Sequence, residues 1–218
     1  MMAYAPPQAK LKVVFADDFL VVIDKPSGLL SVPGRGEDKA DCALSRVQGS
    51  LPDALTVHRL DMATSGLLLF ARSKEMQRAL SGQFARGEVA KRYIADVWGA
   101  PAEASGEINL PLITDWPRRP LQKVDWETGK PSVTRYETLS VSGRFSRLAL
   151  TPLTGRSHQL RVHLAEIGHP ILGDEFYAHP EALAARPRLA LHAASLEFMH
   201  PVSSAKLTLV SLCPFDPS

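Results

Sequence analysis

Residues 57–87 have the sequence VHRLDMATSGLLLFARSKEMQRALSGQFARG, and this stretch decides the fold. Its first part, residues 58–65, is a short polar connection that contains the cluster His-Arg-Leu-Asp. The run that follows, GLLLFA at residues 66–71, is continuously apolar and has the length of a strand. Such a run is typical of a strand that is buried on both faces of its sheet. We therefore expect a central strand that is entered from a polar loop.

A helix is expected to follow this strand. Ser73 is a good N-cap, because its hydroxyl can accept hydrogen bonds from the free N–H groups of the first turn. Apolar residues then recur every four positions and give the helix one apolar face: Met76, Leu80 and Phe84. Gly87 is expected to end the helix, since glycine readily adopts the left-handed conformation of a C-terminal cap.

The rest of the chain contains more strand signals than helix signals. Residues 12–15 and 20–24 are apolar and β-branched, which predicts a hairpin. Further strands are expected at residues 92–98, 133–139, 146–151, 193–199 and 206–212. A second helix is expected to be capped by Ser157 and to end at Gly168. These elements predict an α+β fold around a mainly antiparallel sheet, in one domain spanning residues 1–218.

Composition excludes several classes of protein. With 45% hydrophobic and 22% charged residues, the chain of 218 residues can form a sizeable core and is not expected to be disordered or collagen-like. No apolar run approaches the ~20 residues of a membrane-spanning helix, and the first residues lack a signal-peptide pattern. Cys42 and Cys213 have no metal-ligand spacing. We therefore expect a cytoplasmic protein without structural zinc.

The charges are unevenly distributed, although the formal net charge is only +2. Basic residues cluster in two runs, at residues 72–92 and 144–163. The second run lies between Glu137 and Glu166, which have no acidic residue between them. A single run of this kind is usually a solvated face. Two such runs beside the polar motifs favour a surface that faces a polyanion.

The candidate chemistry centres on Asp61, which lies just before the buried strand. Nearby arginines should keep its carboxylate ionised, because an opposing charge stabilises the anion. An ionised carboxylate suits a nucleophile or a general base better than a general acid. Asp61 could instead brace the turn Thr64-Ser65-Gly66 through backbone N–H groups. Both roles fit the spacing.

Two further segments place cations beside an aromatic ring or a helix end. Lys91-Arg92-Tyr93 begins a strand, where an exposed Tyr93 could stack on a nucleobase; a half-buried sheet tyrosine is the alternative. The segment GRSHQLR at residues 155–161 places two arginines at a helix N-terminus, where backbone N–H groups attract anions. His158 and Arg161 should be neighbours on the helix surface, with no acidic residue close in sequence to pair with them.

Five segments resemble motifs of the RluA family of pseudouridine synthases, and they follow one another along the chain in the same order as in the family. The segment HRLDMATSGL at residues 58–67 is similar to the family signature HRLDxxTSGL. The others are KPSGL at 25–29, KRY at 91–93, GRSHQLRVH at 155–163 and GHPILGD at 168–174. The resemblance extends from about Val13 to the last expected strand. The resemblance is strongest to one member of the family, which modifies two RNAs. Three segments carry this stronger resemblance: LLSVPGR at 29–35, PLITDWP at 111–117 and ETGKP at 127–131.

This resemblance implies a fold and an activity. The fold is the pseudouridine synthase fold, with a mainly antiparallel mixed sheet, flanking helices and a central RNA-binding cleft, and without an added N-terminal RNA-binding domain. The activity is the isomerisation of uridine in RNA to pseudouridine, in which the N-glycosidic bond breaks, the base turns and a carbon–carbon bond forms through C5. The resemblance implies no cofactor, no metal and no energy source.

The same resemblance assigns roles to four residues. Asp61 is the catalytic carboxylate, and Arg161 pairs with it. Tyr93 stacks against the target base and is a candidate for removing the C5 proton. Arg59 helps to fill the gap left by the flipped base. Three routes stay open for Asp61: attack on C1′, addition to C6 of the base, or removal of a ribose proton.

The implied substrates are a uridine in a tRNA anticodon loop and one in a loop of the large-subunit (23S) rRNA. We expect a monomer, because the sequence has no apolar heptads or other association surface. A non-catalytic RNA-binding module is the first alternative, and it would be indicated by loss of the aspartate, tyrosine or arginine, which are all present. A glycosidase is the second, but no second carboxylate stands in a comparable motif.

Overall fold

The structure is a computed structural model that describes residues 4–215, and this part of the chain divides into two compact units. Unit 1 comprises residues 4–91 and 193–215, and unit 2 comprises residues 92–192. In chain order the elements are β1 (Lys12–Ala16), β2 (Leu20–Lys25), α1 (Ala43–Gln48), β3 (Leu55–Thr56), β4 (Ser65–Ala71), α2 (Lys74–Arg86), β5 (Ala90–Trp98), β6 (Ser105–Asn109), β7 (Leu112–Thr114), β8 (Gln122–Val124), β9 (Val133–Ser142), β10 (Phe145–Pro152), α3 (Gln159–Glu166), α4 (Pro180–Ala184), β11 (Leu191–Met199) and β12 (Lys206–Val210). Short 3₁₀ helices lie at Glu37–Lys39 and Trp116–Arg118.

Unit 1 is built around the buried strand β4. β1 and β2 form the predicted antiparallel hairpin, β2 pairs antiparallel with β4, and β12 pairs antiparallel with β11. Every residue of β4 is buried, as the apolar run predicts. A side chain at Gly66 would overlap the backbone of Ala193, so glycine is needed where these two segments approach closely.

Helix α2 lies against this sheet as the sequence predicts. The Ser73 hydroxyl accepts a hydrogen bond from the N–H of Met76 at 3.1 Å, and Gly87 ends the helix with a φ of +73°. Met76 and Leu80 pack into a core that includes Leu69. The cap, the apolar face and the C-terminal glycine are therefore all confirmed.

Unit 2 contains an antiparallel sheet with the order β5-β10-β9-β6 and the separate β7–β8 hairpin. The pattern in the Pro- and Gly-rich segment 99–131 did not predict β6, β7 or β8, which are short strands. The named strand pairs and the small number of helices confirm the α+β class with a mainly antiparallel sheet. No helix within residues 4–215 is long and apolar enough to cross a membrane.

Helix α3 differs from the prediction at its N-terminus. Its N-cap is His158, in the left-handed conformation with a φ of 53°, and not Ser157. The side chain of Gln159 accepts hydrogen bonds from the N–H of Arg156 at 3.0 Å and from the hydroxyl of Thr154 at 2.8 Å. These bonds fix the segment before the helix, so no serine cap is required. The predicted end at Gly168 is confirmed by its φ of +84°.

Candidate active site

Asp61 lies in the loop between β3 and β4, within unit 1. Its side chain is half-buried, Arg59 is exposed, and Leu60 between them is buried in the core. The turn after Asp61 is closed by the main chain, because the N–H of Thr64 donates to the carbonyl oxygen of Asp61 at 3.1 Å. The loop thus places a carboxylate and a guanidinium at the surface on either side of one apolar anchor.

A buried ammonium group holds this loop from below. Lys25, the last residue of β2, is fully buried. Its Nζ donates to the carbonyl oxygens of Pro26 at 3.0 Å, Leu29 at 2.7 Å and Met62 at 3.0 Å. The N–H of Gly28 also donates to the Met62 carbonyl, at 2.9 Å. The charge is therefore compensated by backbone dipoles, and the residue next to Asp61 is fixed in place.

Two serine hydroxyls complete this attachment. The Ser31 hydroxyl donates to the Leu60 carbonyl at 2.7 Å and accepts from the Leu60 N–H at 3.0 Å. The Ser27 hydroxyl donates to the Ala63 carbonyl at 2.6 Å. The segment KPSGLLS at residues 25–31 thus contacts the main chain on both sides of Asp61. This explains physically why that segment accompanies the HRLD cluster.

Replacement of Lys25 by Met is expected to destabilise unit 1. Met keeps the length of the side chain but removes this donor from three carbonyl groups; the Met62 carbonyl keeps the N–H of Gly28, and the loss at Pro26 and Leu29 costs roughly 1–3 kcal/mol for each buried group left unsatisfied. We expect the free energy of unfolding to fall by about 3 kcal/mol or more in urea unfolding. Lys74→Met, at an exposed position of α2, is the matched control and should change it little. A Lys25→Met variant as stable as this control would contradict the role of the ammonium group.

His58 is a structural residue of the same loop. Its ring stacks on Phe84 with centroids 4.5 Å apart, and its Nε2 accepts a hydrogen bond from the N–H of Leu69 at 3.0 Å. The residue is half-buried and lies against the ring of Phe84. Burial, with a smaller contribution from Lys91, lowers the pKa of His58 from 6.5 to about 3. The ring is therefore neutral at physiological pH and acts as an acceptor.

The lowered pKa of His58 predicts a loss of stability in acid. The unfolded state binds this proton near pH 6.5 and the folded state only near pH 3, so stability is fully present above pH 6.5 and declines as the pH falls towards 3. We expect His58 to contribute a loss of the order of 1–2 kcal/mol between pH 7 and pH 5. Urea unfolding of His58→Gln, which keeps an acceptor without a titrating ring, should show a correspondingly smaller loss.

The control for this pH experiment is His169→Gln. His169 bonds through Nδ1 to the carbonyl of Trp98 in unit 2, so its replacement also removes a histidine that has a hydrogen bond. This control shows how the loss of a hydrogen-bonded histidine by itself changes the free energy of unfolding. Equal pH dependence in wild type and His58→Gln would show that His58 does not carry the effect.

Tyr93 lies on β5 in unit 2, where it pairs with Leu150 of β10. Its side chain is half-buried. The two cations before it have other partners: Lys91 lies 6.0 Å from the ring centroid of Phe84, and Arg92 is 3.6 Å from Glu137 in an exposed ion pair. Burial lowers the pKa of Lys91. Both cations that the sequence places beside Tyr93 therefore have neighbours within the protein.

Arg161 is buried in unit 2 with 2% of its surface exposed, and the prediction that it lies on the helix surface is wrong. Its Nε and Nη2 donate to the carboxylate of Asp174 at 2.8 and 2.6 Å. Asp174 also accepts from the backbone N–H of Phe176 at 2.9 Å. No acidic residue stands within four positions of Arg161 in the chain, so the sequence did not predict this pairing. The partner lies thirteen residues further on, in the GHPILGD segment.

Aromatic rings enclose the Arg161 guanidinium further. Its central carbon lies 5.0 Å from the ring centroid of Phe176 and 5.3 Å from that of Tyr177. The Tyr177 hydroxyl is 2.7 Å from Nδ1 of His158 and accepts from the N–H of Gln122 at 2.9 Å. Asp174 and these two rings therefore fix the guanidinium from several directions.

Some residues of the two basic runs have acidic partners within the fold. Arg147 donates to the buried carboxylate of Asp96 at 2.8 Å. Arg72 pairs with the exposed Asp53 at 3.2 Å. These acids are distant in sequence, so the distribution of charge along the chain did not show the pairs. Within residues 4–215, no group of three or more His, Cys, Asp or Glu side chains could hold a metal ion.

The match to a known family agrees with this arrangement. Residues 19–166 match the family described as RNA pseudouridylate synthase. The chain therefore belongs to the RNA pseudouridylate synthases, isomerases that convert uridine in RNA to pseudouridine. The family and activity implied by the five motifs are confirmed.

Particular relatives are similar over nearly the whole chain. The dual-specificity RNA pseudouridine synthase RluA of Escherichia coli (strain K12) is 51% identical over 217 residues, which are 99% of each chain. That of Vibrio cholerae is 48% identical over 218 residues, covering 100% of this chain and 89% of the relative. The structure of human RNA pseudouridylate synthase domain containing 1 aligns with a TM-score of 0.78 and 26% identity, over 98% of this chain and 88% of that one.

Proposed function

We propose that this isomerase acts on two RNAs, at a uridine in a tRNA anticodon loop and at one in a loop of the 23S rRNA, with Asp61 as its catalytic carboxylate. Dual specificity is supported by the names of relatives that are about half identical over nearly the full chain. The observation that carries the proposal for Asp61 is its position. A half-buried carboxylate stands on a loop whose main chain is held on both sides by buried donors.

Rigid attachment of the loop matters for each route that is open to Asp61. Attack on C1′, addition to C6 and removal of a ribose proton all require a carboxylate oxygen at a fixed distance from one atom of the nucleotide. Pre-positioning removes the entropic cost of finding that geometry during the reaction. The Lys25 and Ser31 contacts supply this positioning from the protein side.

Arg161 is proposed to pair with Asp61. A guanidinium carries five N–H donors, and Asp174 accepts from those of one edge, Nε and Nη2. This bidentate contact fixes the orientation of the guanidinium, and the proposed pairing then positions the carboxylate of Asp61.

Tyr93 and Arg59 are proposed to act on the base and on the gap that it leaves. Taking a base out of its stack costs a few kcal/mol, and less in a loop than in a duplex. Tyr93 is proposed to stack against the turned-out uracil and to take part in removing the C5 proton. Arg59 is exposed beside Asp61, as a side chain that enters the RNA must be. Single-stranded loops fit this mode of recognition, since their bases are accessible on every edge.

The remaining proposals concern the state of the protein. We propose a monomer in the cytoplasm that forms one domain over residues 1–218. Light scattering should then give the mass of one chain, and urea unfolding should give a single transition by fluorescence and by circular dichroism.

The function is tested by tritium release from C5-labelled uridine. We expect the protein to release tritium from a tRNA transcript and from a large-subunit rRNA transcript, because exchange at C5 accompanies formation of the new carbon–carbon bond. Release from only one RNA would contradict dual specificity and leave the isomerase activity in place. The control RNAs are the same transcripts with cytidine in place of the target uridine, and we expect no tritium release from them.

A further inference from the structure

The β7–β8 hairpin carries an exposed aromatic residue that the roles given above do not use. Trp116 lies at the tip, in the 3₁₀ turn between the two strands, with 64% of its surface exposed. The guanidinium of Arg119 lies over its ring, 4.7 Å from the ring centroid. Most of the Trp116 surface thus stays exposed although an arginine lies over the ring. We refer to this pair, Trp116 and Arg119, as the tip platform.

The turn that carries the tip platform is held by several hydrogen bonds. The N–H of Asp115 donates to the carbonyl of Leu121 at 2.9 Å, and the N–H of Arg118 donates to the carbonyl of Asp115 at 3.0 Å. The buried carboxylate of Asp115 also accepts from the Arg118 side chain at 2.6 Å. Pro117 restricts the backbone between them. The ring is therefore presented by a defined turn, which lowers the entropic cost of binding a ligand on it.

The turn end of the hairpin is attached to the surroundings of Arg161 within unit 2. The N–H of Gln122, which follows the turn as the first residue of β8, donates to the hydroxyl of Tyr177. That hydroxyl also contacts His158 at the start of α3, and the Tyr177 ring lies against the Arg161 guanidinium. The tip platform is thus linked through the main chain of Gln122 and the side chain of Tyr177 to a residue proposed for the reaction.

We propose that the tip platform binds one unpaired nucleotide of the substrate RNA other than the target uridine. The proposal rests on the proposed function, in which the substrate is an RNA loop. A nucleobase stacks on the exposed part of the Trp116 ring, while Arg119 attracts a neighbouring phosphate. Stacking tolerates every base, so one platform serves loops of different sequence. This property suits an enzyme that acts on two RNAs.

Trp126 provides an internal comparison. It is as exposed as Trp116, at 73%, but it follows β8 at the other end of the hairpin. Its neighbours in sequence are Asp125 and Glu127, which repel phosphates. The two tryptophans therefore match in size and exposure and differ in charge environment. Only Trp116 is expected to bind RNA.

The test measures binding and turnover of Trp116→Ala, Trp116→Phe and Trp126→Ala on one RNA, a tRNA anticodon stem–loop transcript. Stacking on an aromatic residue is worth roughly 1–3 kcal/mol per base, so Trp116→Ala should weaken binding and raise KM roughly 5- to 150-fold. The kcat at saturating RNA should stay unchanged, because the platform does not contact the reacting atoms. Trp116→Phe should retain most of the affinity, and Trp126→Ala all of it.

Each outcome separates the tip platform from the proposed function. Unchanged affinity in Trp116→Ala, in a protein that still releases tritium, overturns the platform alone. An equal loss of affinity in Trp126→Ala also overturns it, since any exposed tryptophan would then serve. Tryptophan fluorescence gives a second readout that does not depend on folding of the alanine variant. RNA should quench the fluorescence of the wild type, and the part of this quenching that is due to Trp116 should be missing in Trp116→Phe. If these binding results were obtained with a protein that releases no tritium, they would support the tip platform and contradict the proposed function.

Discussion

Asp61→Asn is expected to lower the rate of pseudouridine formation by more than roughly 10³-fold, within the range that one positioned acid–base or nucleophilic group contributes. Asn has almost the same shape as Asp but carries no negative charge and is a poor nucleophile and base. The loop should keep its structure, because its attachments run through the main chain and through Ser31 and Lys25. We therefore expect Asp61→Asn to lose tritium release and to bind RNA with the affinity of the wild type.

The control for this variant is Asp53→Asn in the same unit. Asp53 is an exposed carboxylate that pairs with Arg72 at 3.2 Å, so the substitution removes one charge and one ion pair without touching the loop. Exposed pairs contribute little to stability, and turnover should remain close to that of the wild type. Turnover retained in Asp61→Asn would remove Asp61 from the chemistry. An equal loss in both variants would point to a general effect of charge.

The part of the fold that could be predicted from the sequence is the part with local signals. The hairpin β1–β2, the buried strand β4 and the helix α2 each follow from apolar spacing and from caps such as Ser73 and Gly87. Arg59 and Asp61 could be singled out because they stand in one short polar segment. The motifs and their order along the chain were sufficient to identify the family, which the match to the family confirms.

Helix α3 shows why the rest could not be predicted. Periodicity assumes one buried and one exposed face, but all residues from Gln159 to Leu164 are buried. Three of them are polar, and each is bonded by a group that is distant in sequence. Gln159 and His163 contact Thr134, and Arg161 contacts Asp174. A polar residue on a buried face is stable only with such partners, and a one-dimensional pattern does not show them.

The buried lysine of unit 1 is a second example. Lysine is almost never fully buried, so composition assigns Lys25 to the surface. Its three carbonyl partners come from turns whose geometry depends on the fold. The resemblance to a family motif marked the segment 25–31, whereas its physical role became evident only from these contacts.

Asp174→Asn is expected to have the largest effect on stability. Arg161 would keep its charge in a buried position and lose the carboxylate of Asp174, and breaking a buried ion pair in this way costs about 3–5 kcal/mol. Turnover should fall with it, since the guanidinium that is proposed to face Asp61 would lose its fixed orientation. Urea unfolding and tritium release, both at low temperature where the variant stays folded, measure the two effects.

Asp115→Asn is the matched control for this substitution. Asp115 is also buried and also pairs with an arginine of unit 2, at 2.6 Å, but that partner, Arg118, is 71% exposed. Water can hydrate Arg118 once the carboxylate is gone, so the loss of stability should be clearly smaller than for Asp174→Asn. Equal losses in the two variants would show that burial of the arginine is not what makes the pair important.

The double variant Arg161→Met with Asp174→Leu separates stability from chemistry. Replacing both partners of a buried ion pair by apolar residues of similar size is often neutral or stabilising, because no charge is left without a partner. The double variant should therefore recover part of the stability that Asp174→Asn loses, since the N–H groups of Phe176 and Tyr177 still lose their acceptor, and it should remain without turnover. If the double variant recovered both stability and turnover, Arg161 would have only a structural role. Recovery of stability alone is the result that a guanidinium acting on Asp61 requires.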